Sequence, residues 1–127
     1  LTRRIRLRDG TCRHPGCRVP AEDCEIDHVV AFNHADPAAG GPTMEWNLCC
    51  LCKNHHLEKT FGPWTYLPGP RGDGELIIRT DTGHEYRTYP DGMLARARET
   101  LGEITLIRRL THHLTIDIPQ PPDPAGG

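Results

Sequence analysis

The residues from Asn47 to Lys59 concentrate ligand chemistry in this 127-residue chain. Cys52 stands three residues ahead of a His55–His56 doublet, Asn47 opens the run and Lys59 closes it. Upstream lie Cys12 and Cys17, with Pro15 and Gly16 between them, and the pair Asp27–His28. A Cys12-x4-Cys17 knuckle with a remote Cys52-x-x-His55 pair supplies the four thiolate and imidazole ligands that a tetrahedral structural Zn²⁺ requires. The competing reading is that these cysteines pack unpaired, as small hydrophobes. Cys24, Cys49 and Cys50 are assigned that packing role, because their spacing to His55 is poorer. The remaining residues suit harder chemistry. A divalent cation such as Mg²⁺ or Mn²⁺ held by Asp27 and His56 keeps open positions for phosphate oxygens. His28 is the candidate general base, an imidazole able to take the proton of an attacking water near neutral pH. Asn47 is the candidate orienter of that imidazole, or a further metal ligand. Lys59, Arg13 and Arg18 are candidate phosphate contacts. The chemistry this set fits is phosphodiester hydrolysis. A lone histidine is more often structural than catalytic, so the inference rests on the combination.

Composition supports the metal reading. Only 36% of residues are hydrophobic and 6% aromatic, while glycine contributes 13 residues and proline 12. So thin an apolar supply calls for a staple other than the core. Six cysteines and eight histidines offer disulfides or metal, and a histidine where a disulfide framework would need a cysteine favours metal. A secreted disulfide-rich domain fails on that spacing. No run of about 18 apolar residues is present, which excludes a transmembrane helix and a membrane partner. The Arg-rich N-terminus has no apolar segment behind it, as a secretory signal would, so the expected location is cytoplasmic and reducing. The net charge of −2 hides an asymmetry: residues 1–20 carry six arginines against Asp9, and residues 21–58 carry seven acids against Lys53. A basic edge beside an acidic, histidine-rich centre suits a phosphate-gripping arm next to a cation site. A solvated arm accounts for the charge equally well.

The elements that position these groups follow from pattern. Residues 1–11 read as a basic arm, helical or extended, and 12–62 as the core that carries both sites. Ile26, Val29, Val30 and Phe32 mark a β-prone run, expected to pair with the knuckle before it. Residues 33–43 are a turn-rich loop, and a helix is expected from about Asn47 to Lys59, stopping before Gly62-Pro63. On a helix, His55 and His56 point about 100° apart, so they serve different sites. Residues 63–90 read as a β-hairpin extension, with strands at 76–80 and 85–89 around Gly83. Residues 91–118 have roughly helical apolar spacing broken at Gly102, and 119–127 read as a Pro- and Gly-rich disordered tail.

With those motifs in hand, residues 12–60 resemble an HNH endonuclease domain. The matching elements are Cys12-x4-Cys17, Asp27-His28, Gly40-Gly41-Pro42-Thr43, Asn47-Leu48, Leu51-Cys52, His55-His56 and Lys59-Thr60. The form most similar is the C-terminal HNH domain of actinobacterial proteins with an N-terminal helical domain of unknown function, which tend to carry a Trp soon after the Lys-Thr, as Trp64 stands here. The resemblance implies an α+β fold with a ββα-metal (HNH, His-Me finger) core stapled by a structural zinc, then a β-hairpin and a C-terminal helix. It implies an enzyme that nicks or cuts DNA, expected to be double-stranded, with His28, Asn47 and His56 as the name-giving residues. Many HNH domains have Cys-x-x-Cys-His at the helix. Here His55 takes the second cysteine's place, and histidine also binds zinc. The rival from another class is a zinc-stabilised DNA-binding module without catalysis, which has no need of Asp27, His28, Asn47 and His56 together.

Overall fold

The computed structural model describes residues 1–113, with side chains through 103. The fold is mixed α+β with two small antiparallel sheets and three helices. Residues Leu1–Ala95 form one unit, and most of the last helix, from Arg96 onward, belongs to a second.

The N-terminal arm is a helix, α1 (Thr2–Asp9), which ends where Gly10 turns to φ 73° and returns its N–H to Arg6 O. A side chain at Gly10 would also press on Gly92, 3.0 Å from the added carbon, so glycine is required there twice over. This helix is not a solvated basic arm, because Ile5, Arg8 and Asp9 are buried in the unit. Arg8 donates to Asp9 at 2.7 Å and to the carbonyls of Glu45 and Leu48 at 2.6 Å each. Asp9 also receives Arg13 at 3.1 Å and the Cys50 N–H at 2.9 Å. Burial lowers the Arg13 pKa, and the neighbouring Asp9 charge opposes that. The network ties the helix to the chain entering the second strand. Asp9→Ala strands two buried guanidinium groups without their carboxylate, so a loss of about 3–5 kcal/mol is expected, read as a lower urea midpoint at unchanged slope.

The first sheet pairs β1 (Glu25–His28) with β2 (Leu48–Leu51), in the register Glu25↔Leu51, Ile26↔Cys50, Asp27↔Cys49 and His28↔Leu48. This corrects two expectations. The first strand pairs with β2 rather than with the knuckle, and the helix does not begin at Asn47. Leu48 to Leu51 is a strand buried along its whole length, and α2 runs only from Lys53 to Phe61, with Cys52 as its N-cap. The order is therefore strand, loop, strand, helix. The knuckle closes on itself through Cys12 N–H to Val19 O at 2.8 Å and hangs on β2 through Arg13 N–H to Cys50 O at 2.8 Å.

A second sheet follows, in the order β3 (Thr65–Pro68), β4 (Leu76–Arg79), β5 (Glu85–Thr88). The expected hairpin is β4–β5, with Gly83 at φ 88° in its turn, and β3 adds a third strand along the other edge of β4. Helix α3 spans Met93–His113 and continues through Gly102, so the glycine does not interrupt it. The expected tail, 119–127, and the last expected helical residues lie outside the described residues. Five of the thirteen buried core residues described are cysteines, so the core is as thin as composition implies.

Candidate metal centre and cation site

The first cluster lies where the knuckle meets the start of α2. Ligand atoms of Cys12, Cys17, Cys52 and His55 all fall within 4.8 Å of one another, which lets them hold a metal ion. His55 Nδ1 lies 3.5 Å from Cys12 Sγ and 3.2 Å from Cys52 Sγ. The six cysteines are all free, and Cys49 and Cys50 are fully buried in β2, the packing role expected of them. Burial pushes the Cys12 thiol up to about 12. At Cys52 burial also pushes upward, but hydrogen bonds from the His55 and Asn54 backbone and from the Cys12 and Cys17 thiols outweigh it, and the thiol is lowered. A helix N-terminus favours the thiolate for the same reason. Sequence reasoning missed His14, whose ring stacks on His55 at 3.8 Å and whose Nδ1 meets Tyr66 Oη at 2.6 Å. With Glu58, His14 also forms a second possible ligand group sharing His55. Burial and the neighbouring His55 lower the His14 pKa.

The next residue of α2 faces the other way. His56 Nε2 stands 3.4 Å from Asp27 Oδ1, and His56 Nδ1 pairs with Glu25 Oε2. Lys59, one turn further on, places Nζ 2.8 Å from Asp27 Oδ2 and donates to His28 O at 2.9 Å. Asp27 Oδ2 is buried, and the Lys59 ammonium is the charge that faces it. A carboxylate oxygen, Asp27 Oδ1, beside an imidazole nitrogen is a ligand pair that suits a cation. His28 ends β1. Its Nε2 meets Thr43 Oγ1 at 2.8 Å, and its ring lies 5.8 Å from that of Phe32.

Three expected roles need correction. Asn47 is fully buried, and its amide is fully engaged with backbone: Oδ1 accepts from Val30 N–H at 2.9 Å, and Nδ2 donates to Val30 O at 3.0 Å and Pro42 O at 2.9 Å. Those partners are backbone groups of Val30 and Pro42, not the His28 ring. Asn47 clips together the ends of the loop between β1 and β2. Gly41 permits this closure, since a side-chain carbon there would come within 2.5 Å of Asn47 Nδ2. Asn47→Ala leaves those backbone groups without partners and is expected to cost about 3 kcal/mol, measured by urea unfolding. Arg13 is buried against Asp9 and Thr88, so it is no phosphate contact. Lys59 is engaged with Asp27. Arg18 is exposed. Glu25 went unnoticed in the sequence, although residues two apart on a strand share a face, which places it beside Asp27.

No family model matches the chain, and no solved structure matches it. It is 45% identical over 91 residues to the uncharacterized protein Rv3776 of Mycobacterium tuberculosis, covering 71% of this chain and 16% of that protein. It is 47% identical over 87 residues to the uncharacterized protein Rv2100 of the same species, covering 68% of this chain and 14% of that protein. The chain thus spans only a small part of the curated relatives it matches. No helix among the described residues is long and apolar enough to cross a membrane.

Proposed function

We propose that residues 12–62 form a metal-dependent HNH endonuclease domain of the ββα-metal class, hydrolysing phosphodiester bonds of double-stranded DNA. The observation that carries this reading is the meeting of Asp27 and His56 across β1 and α2 at 3.4 Å, on a different face of α2 from the cysteine cluster, with His28 the next residue of β1. Two antiparallel strands followed by a helix fit the ββα core. The cysteine cluster suits zinc: with typical Zn–S and Zn–N bonds, a sulfur and a nitrogen at adjacent corners of a tetrahedron lie about 3.5 Å apart, close to the 3.5 and 3.2 Å separations from His55.

Asp27 and His56 would hold Mg²⁺ or Mn²⁺, which when bound stabilises charge on the phosphate and the leaving oxygen. His28 takes the water proton. When its Nε2–H donates to Thr43 Oγ1, Nδ1 carries the free lone pair. Asn47 acts through the backbone by fixing the loop behind His28, and exposed Arg18 is left to meet a phosphate. Zinc-loaded protein with Mg²⁺ or Mn²⁺ is expected to convert supercoiled plasmid to nicked or linear form, and EDTA to stop it. Binding of the plasmid without conversion under either ion would replace this reading with the non-catalytic DNA-binding module.

A further inference from the structure

We infer that Glu25 is a positioning residue for the candidate cation site: it holds Nδ1 of His56 so that Nε2 is the nitrogen presented beside Asp27. The inference rests on the reading of Asp27 and His56 as cation ligands. Strand alternation sets Glu25 and Asp27 on one face of β1, opposite Leu51 and Cys49 of β2. The His56 ring, carried on α2, lies between the two carboxylates, with Nδ1 on Glu25 and Nε2 toward Asp27. A neutral imidazole has one N–H and one lone pair. A carboxylate on Nδ1 takes the N–H, which leaves the lone pair on Nε2.

The Asp27 side of the ring is built differently from the Glu25 side. At 3.4 Å the Nε2–Oδ1 separation is longer than a good hydrogen bond, and the other oxygen of Asp27, Oδ2, is buried against the Lys59 ammonium at 2.8 Å. Glu25 is half exposed, its side chain 54% accessible, so packing does not explain its place. A carboxylate behind a ligating histidine fixes both tautomer and ring orientation, and loss of such a partner typically lowers metal affinity about 10–100-fold.

The test is Mn²⁺ binding to the zinc-loaded protein, followed by electron paramagnetic resonance, in wild type, Glu25→Ala, Glu25→Gln and Asp27→Asn. Glu25→Ala is expected to weaken Mn²⁺ binding about 10–100-fold with zinc content unchanged. Glu25→Gln, whose amide oxygen still accepts from Nδ1–H, is expected to restore most of it. Nitrogen-15 shifts of His56 should report the Nδ1–H tautomer in wild type and Glu25→Gln, and a shift toward Nε2–H in Glu25→Ala. Wild-type affinity in Glu25→Ala would overturn the positioning role. Equal loss in Glu25→Gln and Glu25→Ala would overturn it too, making Glu25 a direct ligand. Wild-type Mn²⁺ binding that is absent, or indifferent to Asp27→Asn, would remove the cation site itself, and this inference with it.

Discussion

Cys12→Ser is expected to strip the metal from the knuckle and to cost residues 1–95 most of their stability. Folding energy supplied by a structural zinc is on the order of 10 kcal/mol, while a whole domain is stable by only about 5–15 kcal/mol. What else holds the knuckle is a few polar contacts: backbone hydrogen bonds from Cys12 N–H to Val19 O, Cys17 N–H to His14 O and Arg13 N–H to Cys50 O, the Arg13–Asp9–Thr88 contacts and the His14–Tyr66 hydrogen bond. The apolar core cannot compensate, since its cysteines carry no large side chain. Elemental analysis should fall from one bound zinc per chain toward none, with a collapsed thermal transition. Cys49→Ala is the control. That sulfur is buried in β2 but lies outside the ligand cluster, so the variant should keep its metal and lose only the about 1–3 kcal/mol of a small core truncation. Full metal occupancy and an unchanged melt in Cys12→Ser would mean that the four ligands are wrongly chosen.

The division of His55 from His56 was legible in the sequence because it depends only on helical geometry. Two adjacent residues cannot face one site, and Cys52 three positions before His55 settles which of them joins the sulfurs. The second strand was not legible. Leu48-Cys49-Cys50-Leu51 is an apolar run too short to show a period, and a strand buried along its length reads like a helix segment. Mistaking it for the start of α2 also displaced Asn47 from its true place, the end of the loop that it clips. The arginines misled for another reason. Charge counting treats Arg8 and Arg13 as free cations, whereas the Asp9 between them makes burial of all three possible. The spacing of Asp9 and Arg13, four apart, was the available hint. Glu25 was legible in principle from strand alternation with Asp27, but only once β1 is known to present that face to α2.

His28→Ala is expected to lower plasmid nicking by about 10²–10⁴-fold, the usual contribution of a positioned general base, while zinc content and thermal stability stay near wild type. The separation of effects follows from where the ring sits. It touches Thr43 and Phe32 and is no part of the cysteine cluster, whereas the backbone oxygen that Lys59 grips survives the substitution. Thr43→Val is a milder version, because it removes the partner of Nε2 but leaves the imidazole in place. Its loss should be smaller, since a ring no longer held in one tautomer presents Nδ1 as the base only part of the time. His56→Ala should differ in kind. It removes a ligand rather than the base, so excess Mn²⁺ is expected to recover part of its activity but none of the activity lost in His28→Ala. If raising Mn²⁺ rescued His28→Ala as well, His28 would belong with the cation and the base would have to be sought elsewhere. Equal nicking by wild type and His28→Ala would take His28 out of the reaction altogether.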